Sequence, residues 1–394
     1  MKRMWLMTLV GAMLSTATLG ASGAHAARTV GPSIHEFPLV LNSQADSITS
    51  GPDGNLWFTE FNSNRIGKIA VSGVVTEFDM ATPTAGVGHI AAGPDGNLWF
   101  TESQANQVGR ITLDGSISEF PTSQTPSQPN GITAGPDGNL WFAEMDGNRI
   151  VQLSTNGTMT GFSVPTSSGG PFAITVGPDG NLWFTEYTAN QIGRMASDSP
   201  EAIVEFPLPP GDHGPAGIAR GADGALWFTE FRANQIGRIT LDGTVSEFAI
   251  PTADSRPLDI AAGADGNLWF IEFQGNRVGR ITPAGVITEF PVPTADSAPS
   301  GITAGPDGNL WFTELRGDHI GVIEPSGPPD CVGDCNGDGV VQIDDVMVMV
   351  NATLSGELAS TCPLGDADGN GVIDVSDIVL GVKNAMAGCP QSTR

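Results

Sequence analysis

The densest chemistry in the chain lies near its C-terminus. Asp334, Asn336, Asp338, Val340, Gln342 and Asp345 occupy positions 1, 3, 5, 7, 9 and 12 of one segment, with Gly339 at position 6. Asp366, Asp368, Asn370, Val372, Asp374 and Asp377 repeat that arrangement 32 residues later, with Gly371 at the sixth place. Side-chain oxygens, a backbone carbonyl at position 7 and a glycine for the sharp turn make a cage of hard ligands suited to Ca²⁺. Two such loops predict two Ca²⁺ sites. Behind each loop an apolar residue recurs every fourth position, first Val346, Val350 and Leu354, then Ile378, Val382 and Met386. That spacing predicts a helix with one apolar stripe after each loop. Neither loop has a helix before it, because Pro328-Pro329 and Cys362-Pro363 stand there.

Cys331, Cys335, Cys362 and Cys389, the four cysteines of the chain, all fall around these loops. They allow three disulfide pairings; a zinc site is the rival, although two Cys-x-x-Cys knuckles are missing. Lys2 and Arg3, the apolar run from Met4 to Val10 and the small-x-small Ala24-His25-Ala26 predict a signal peptide over residues 1–26. The mature chain is then secreted or periplasmic, where disulfides form. The leader is too short and too rich in Gly, Ser and Thr to span a bilayer, and no later segment approaches that length. With 17 basic against 43 acidic residues the net charge is −26. Such a balance argues against binding nucleic acid or anionic lipid and favours a divalent cation as partner.

The rest of the chain is organised by repetition. Gly-Pro-Asp-Gly-Asn-Leu-Trp-Phe-Thr-Glu begins at Gly51 and recurs with small variations at Gly93, Gly135, Gly177, Gly221, Gly263 and Gly305. A unit of about 42 residues with four short strands has the size of a propeller blade. In the third unit, Gly131 to Ala134 reads as an inner strand and Asn139 to Glu144 as the next. Asn148 to Gln152 follows, and an outer strand ends near Phe162. Glu-Phe outer strands occur at Phe37, Phe78, Phe120 (with Gly before Phe162), Phe206, Phe248 and Phe290, and none follows Trp311. The last blade therefore takes its outer strand from the N-terminal segment around Ile34 to Val40, which closes a seven-bladed ring. The expected organisation is an all-β seven-bladed propeller over 33–324, a Pro/Gly linker over 325–330 and a small helical calcium-binding module over 331–389.

Over 33–324 these motifs, with Asn190 to Arg194, Asn234 to Ile239 and the Glu-Phe-Pro strands, resemble the virginiamycin B lyase family. The resemblance implies a carbon–oxygen lyase that opens a cyclic depsipeptide at its ester by elimination. Two His, two Glu and Mg²⁺ near the central channel carry that step in the family. The positions that match the two His hold Leu258 and Ser300; the Glu before the second Pro is matched by Ala298. Glu314 is the one site residue carried over. The equivalent places in the other units are Asp46, Gly88, Asn130, Phe172 and Ala216. His89 falls one place after that register and His213 in a nearby loop; both are expected as surface or edge histidines. Glu314 has counterparts at Glu60, Glu102, Glu144, Glu186, Glu230 and Glu272, which makes a scaffold role the expectation for all seven. No phosphate loop, dinucleotide fingerprint or Gly-x-Ser-x-Gly elbow appears.

The duplicated half-EF-hands resemble the dockerin module over 331–389. That resemblance implies neighbouring termini, hence Cys331–Cys389 with Cys335–Cys362, and a cohesin-like extracellular partner. Ile343-Asp344 and Val375-Ser376 depart from the Ser-Thr pairs common in that family. Taken together, the sequence reads as an exported calcium-binding protein whose propeller is a platform for an unknown small ligand. The alternatives are a lyase acting on streptogramin B antibiotics and a component of a polysaccharide-degrading system.

Overall fold

The computed structural model describes residues 32–325, together with 346, 348–350 and 378. Within 32–325 the repeat becomes 28 strands in seven four-stranded antiparallel sheets. The inner strands touch in sequence and the seventh returns to the first, so the fold is a seven-bladed propeller. The third blade shows the pattern: Pro129–Ala134, Leu140–Glu144, Arg149–Leu153 and Met159–Ser163. These bounds lie within two residues of those read from the sequence.

Each residue of the recurrent phrase has a task. Asp, two residues after the opening Gly, accepts the indole N–H of its Trp at 3.0–3.2 Å in all seven blades. At Asp53, Asp95, Asp137 and Asp179 burial pushes the carboxyl up. Hydrogen bonds from the following Asn and Trp outweigh it and hold each below the usual carboxylate range. Each Trp, buried between blades, stacks on the Phe of its own outer strand with centroids 5.4–5.8 Å apart. In six blades the following Phe packs on a Gly of the third strand, where a Cβ on Gly67 would lie 2.1 Å from the Phe58 ring; the third blade has Val151 at that place. The Thr ties blades together. Thr313 takes the Gly301 N–H at 2.8 Å and donates to the Asp46 carbonyl of the first blade at 2.7 Å.

The ring closes as the sequence implies. Ile34–Pro38 pairs antiparallel with His319–Ile323, Phe37 opposite Ile320. Glu36 receives the Thr294 N–H and hydroxyl from the sixth blade, both at 2.9 Å. Asp318 accepts the Asn42 N–H at 2.9 Å. Both ends of the propeller are thus held in one blade.

Two compact units divide the chain, and the propeller lies in the one spanning Gly31–Pro329. In the other, residues 346, 348–350 and 378 are helical. The Ca²⁺ loops, the four cysteines and the signal segment lie outside the described residues. No helix among the described residues is long and apolar enough to cross a membrane.

Candidate functional site

Inner strands from all seven blades line a cavity of about 140 Å³ on the propeller axis. Asp46, Gly88, Asn130, Phe172, Leu258 and Ser300, one register position read across six blades, all reach it. In the fifth blade Gly217 lines it, one place after Ala216. The walls differ in character. Phe61, Phe172 and Leu258 bring apolar surface, while Asp46, His89, Asn130 and Ser300 offer polar groups.

His89 is not the edge residue expected from sequence. Its ring stands edge-on to Phe172, centroids 5.9 Å apart, and faces the cavity. Asp259, at the same place in the sixth blade, was not singled out by the sequence. One oxygen accepts the Ile260 N–H at 2.9 Å and the other the Ile302 N–H of the seventh blade at 3.0 Å. This bridge stands where Ile271 has replaced the interblade Thr. Burial pushes the Asp259 carboxyl above its usual range, against those two bonds and the attraction of His89. The missed signal was the third position of the inner strand, which reads Ser47, His89, Gly131, Ala173, Gly217, Asp259 and Gly301. Gly recurs there because a Cβ on Gly217 would meet the neighbouring backbone at 2.8 Å. A His or Asp at that place enters the cavity region.

The residues matched to the lyase resemblance lie around the same axis, but they do not make a metal centre. Leu258 has no donor atom. The Ser300 hydroxyl is bonded to Asp46 at 2.7 Å. Ala298 is 3 % exposed and brings a methyl. The Glu314 carboxyl is pushed up to about 8 by burial, with the Glu36 charge adding to it, so it is largely protonated at neutral pH. Its oxygens find no well-aligned donor, but the same holds at Glu102, Glu186 and Glu272. An orphaned carboxyl in four blades is a property of the scaffold, and the residues present do not fit Mg²⁺.

All seven strand-end glutamates are fully buried. Glu60 binds Arg65 at 2.9 Å and Glu144 binds Arg149 at 2.8 Å through Nε. Glu230 instead meets His213, which is 6 % exposed rather than at the surface; its Nδ1 lies 2.7 Å from Glu230 Oε2.

The virginiamycin B lyase family model matches residues 25–209 and 198–330. A streptogramin B lyase structure is 40 % identical, covering 75 % of this chain and 98 % of its own, with a TM-score of 0.72. Virginiamycin B lyase from Staphylococcus aureus is 40 % identical, covering 74 % of this chain and 99 % of its own, with a TM-score of 0.71. A catalytically inactive His-to-Ala variant of that enzyme, with quinupristin, is 39 % identical over 74 % and 99 %, with a TM-score of 0.70. The extracellular domain of a one-component system from B. thetaiotaomicron, 14 % identical with a TM-score of 0.60, shares the fold alone. No match arose among curated protein sequences. With a seven-bladed ring, the full repeat and a family match across nearly all of it, the chain belongs to the virginiamycin B lyase family.

Proposed function

We propose that this protein is an exported, calcium-loaded binding member of its family, whose axial cavity recognises a small ligand without opening streptogramins. The observation that carries the reading is the set of side chains at the matched positions: Leu258, Ala298 and a Ser300 bonded to Asp46. Elimination at an ester needs a base for the α-proton and a cation or acid for the developing charge. None of these three supplies either. In the S. aureus relative, replacing one histidine by alanine gives a protein described as catalytically inactive. The cavity is close in volume to one that takes a benzene-sized guest, so a ring or short side chain suits it. Phe61, Phe172 and Leu258 would cover the apolar part of that guest, while Asp46, Asn130 and His89 would orient its polar end.

Incubation with a streptogramin B, followed by mass analysis for a linearised product, tests the reading. No product above background is expected. Turnover of about 1 s⁻¹ or more would overturn it. The lyase alternative is favoured by one observation, His89 facing the cavity beside Asp46 and Asp259. If product forms and His89→Gln abolishes it, the base has moved to the second blade.

The C-terminal loops extend the proposal. Their carboxylates repel one another until a cation binds, so Ca²⁺ should stabilise residues 331–389 and order a surface for a protein partner. Equilibrium dialysis of the intact chain should give two Ca²⁺, and Asp334→Ala with Asp366→Ala should give none. Retention of two Ca²⁺ by that double variant would remove the assignment.

A further inference from the structure

We propose that His213, Glu230 and Glu247 form a site for one divalent transition-metal ion of the Zn²⁺ class on the fifth blade. The three side chains come from separate segments: a loop, the end of Leu226–Glu230 and the outer strand Val245–Ala249. One ligand atom from each lies within 4.8 Å of the other two. His213 Nδ1 is 2.7 Å from Glu230 Oε2 and 3.4 Å from Glu247 Oε1. Ligands at about 2.0–2.1 Å in a tetrahedral site stand about 3.3 Å apart. The Glu247 contact already has that spacing, and the Glu230 contact needs to open by roughly half an ångström. One imidazole and two carboxylates suit Zn²⁺, with a fourth position left for water or a ligand atom.

The other blades show what is particular here. At the place of His213 they carry Ser43, Ala85, Ser127, Gly169, Ser255 and Ser297, none of which brings an imidazole, thiolate or carboxylate. Arg65 and Arg149 neutralise the buried Glu of the first and third blades, whereas the fifth, like the second and fourth, has Gln at that position, here Gln235. The outer-strand Glu also has an established role elsewhere. In four places a Thr of the preceding blade donates to it: Thr82 to Glu119, Thr166 to Glu205, Thr252 to Glu289 and Thr294 to Glu36. Ahead of Glu247 that Thr is replaced by Pro210, which has neither an N–H nor a hydroxyl.

Buried oxygens are therefore left over. Glu230 Oε1, on a fully buried side chain, and Glu247 Oε1 have no hydrogen-bond partner. The Pro209 backbone carbonyl also favours a proton on the His213 ring, while Nδ1 faces both carboxylates. A metal-binding histidine usually has a carbonyl or carboxylate near its second nitrogen. Three lone-pair atoms converging in a buried corner need a positive centre between them, either a proton or a metal ion.

The test uses the full-length protein with Ca²⁺ in saturating amount, so that the C-terminal loops are filled. Zn²⁺ alone is then titrated and followed by calorimetry and by thermal melting. The wild type should bind one Zn²⁺ that His213→Ser does not, and its melting temperature should rise only when His213 is present. Serine occupies this place in four other blades, so the variant keeps a side chain the fold already accepts. Glu247→Gln, on the partly exposed ligand, should weaken binding at least about tenfold. With Co²⁺ in place of Zn²⁺, visible absorption should appear without the thiolate charge-transfer bands that cysteine ligands give. Equal Zn²⁺ binding by wild type and His213→Ser would overturn the proposal. So would a wild type that binds none, in which case a proton on Nδ1 occupies the corner.

Discussion

Deleting Ser33 to Asn42 should lower the guanidinium midpoint of the propeller far more than removing ten residues from the C-terminal end. The segment is short, yet it supplies the whole outer strand of the seventh blade, Ile34–Pro38. With it go the ladder to His319–Ile323, the Phe37–Trp311 stack and the two bonds from Thr294 to Glu36. Burying a Phe side chain is worth about 1.5–3 kcal/mol and an aromatic stack about 0.5–1.5 kcal/mol. Each buried backbone group left without a partner costs about 1–3 kcal/mol. A native domain holds only about 5–15 kcal/mol in total. The deletion removes a large part of that, and it frees the sheet edge along His319–Ile323 for pairing with another molecule. Aggregation should accompany the loss of stability. Phe37→Ala, which keeps the ladder, should fall between the two. A truncated protein that stays monomeric and keeps the full-length midpoint would show that the ring closes without this strand.

The closure was legible because it follows from counting. Seven Trp strands, an outer strand too many at the start and one too few at the end permit a single arrangement. The Trp and Phe positions were equally legible, since a residue repeated seven times at one step keeps its place in the scaffold. The sites were harder to read for the same reason. Repetition hides the positions where one blade departs from the rest. His89 and Asp259 share a place that is Gly in three blades, and only that comparison marks them as cavity residues. His213 could be understood only by combining two departures, its own and Pro210, with partners 17 and 34 positions further along the chain. Comparison with the family motif did locate the axis: Leu258 and Ser300 line the cavity as that register implies. What the motif could not supply is the hydrogen bond from Ser300 to Asp46, which depends on where the first blade meets the seventh.

The stability of the propeller should fall as pH rises from about 5 to about 8.5, the reverse of the trend in a fold whose carboxylates are held chiefly by ion pairs. Glu102, Glu186, Glu272 and Glu314 are pushed from an ordinary 4.5 up to about 8, chiefly by burial. Each faces a second carboxylate, respectively Glu119, Glu205, Glu289 and Glu36, which adds to the shift. Blades one and three balance the buried charge with Arg65 and Arg149; these four hold a proton instead. A neutral carboxyl avoids burying an unpaired charge and can donate its proton to the neighbouring carboxylate. In the unfolded chain the same groups ionise near 4.5, so between about 4.5 and 8 the folded state binds more protons than the unfolded one. Their contribution is complete below that window, declines through it and is gone above it. Melting followed by tryptophan fluorescence reads this directly, because seven of the eight tryptophans sit in the blades. Saturating Ca²⁺ should be present throughout, so that titration of the C-terminal loops does not intrude. Glu186→Gln with Glu272→Gln should raise the midpoint at pH 8.5, change it little at pH 5 and flatten the profile between. A midpoint that climbs with pH across this range would mean that these carboxyls are ionised in the folded blades. In the sixth blade Arg277, paired in register with Glu272 and already attracting it, would then be the counterion.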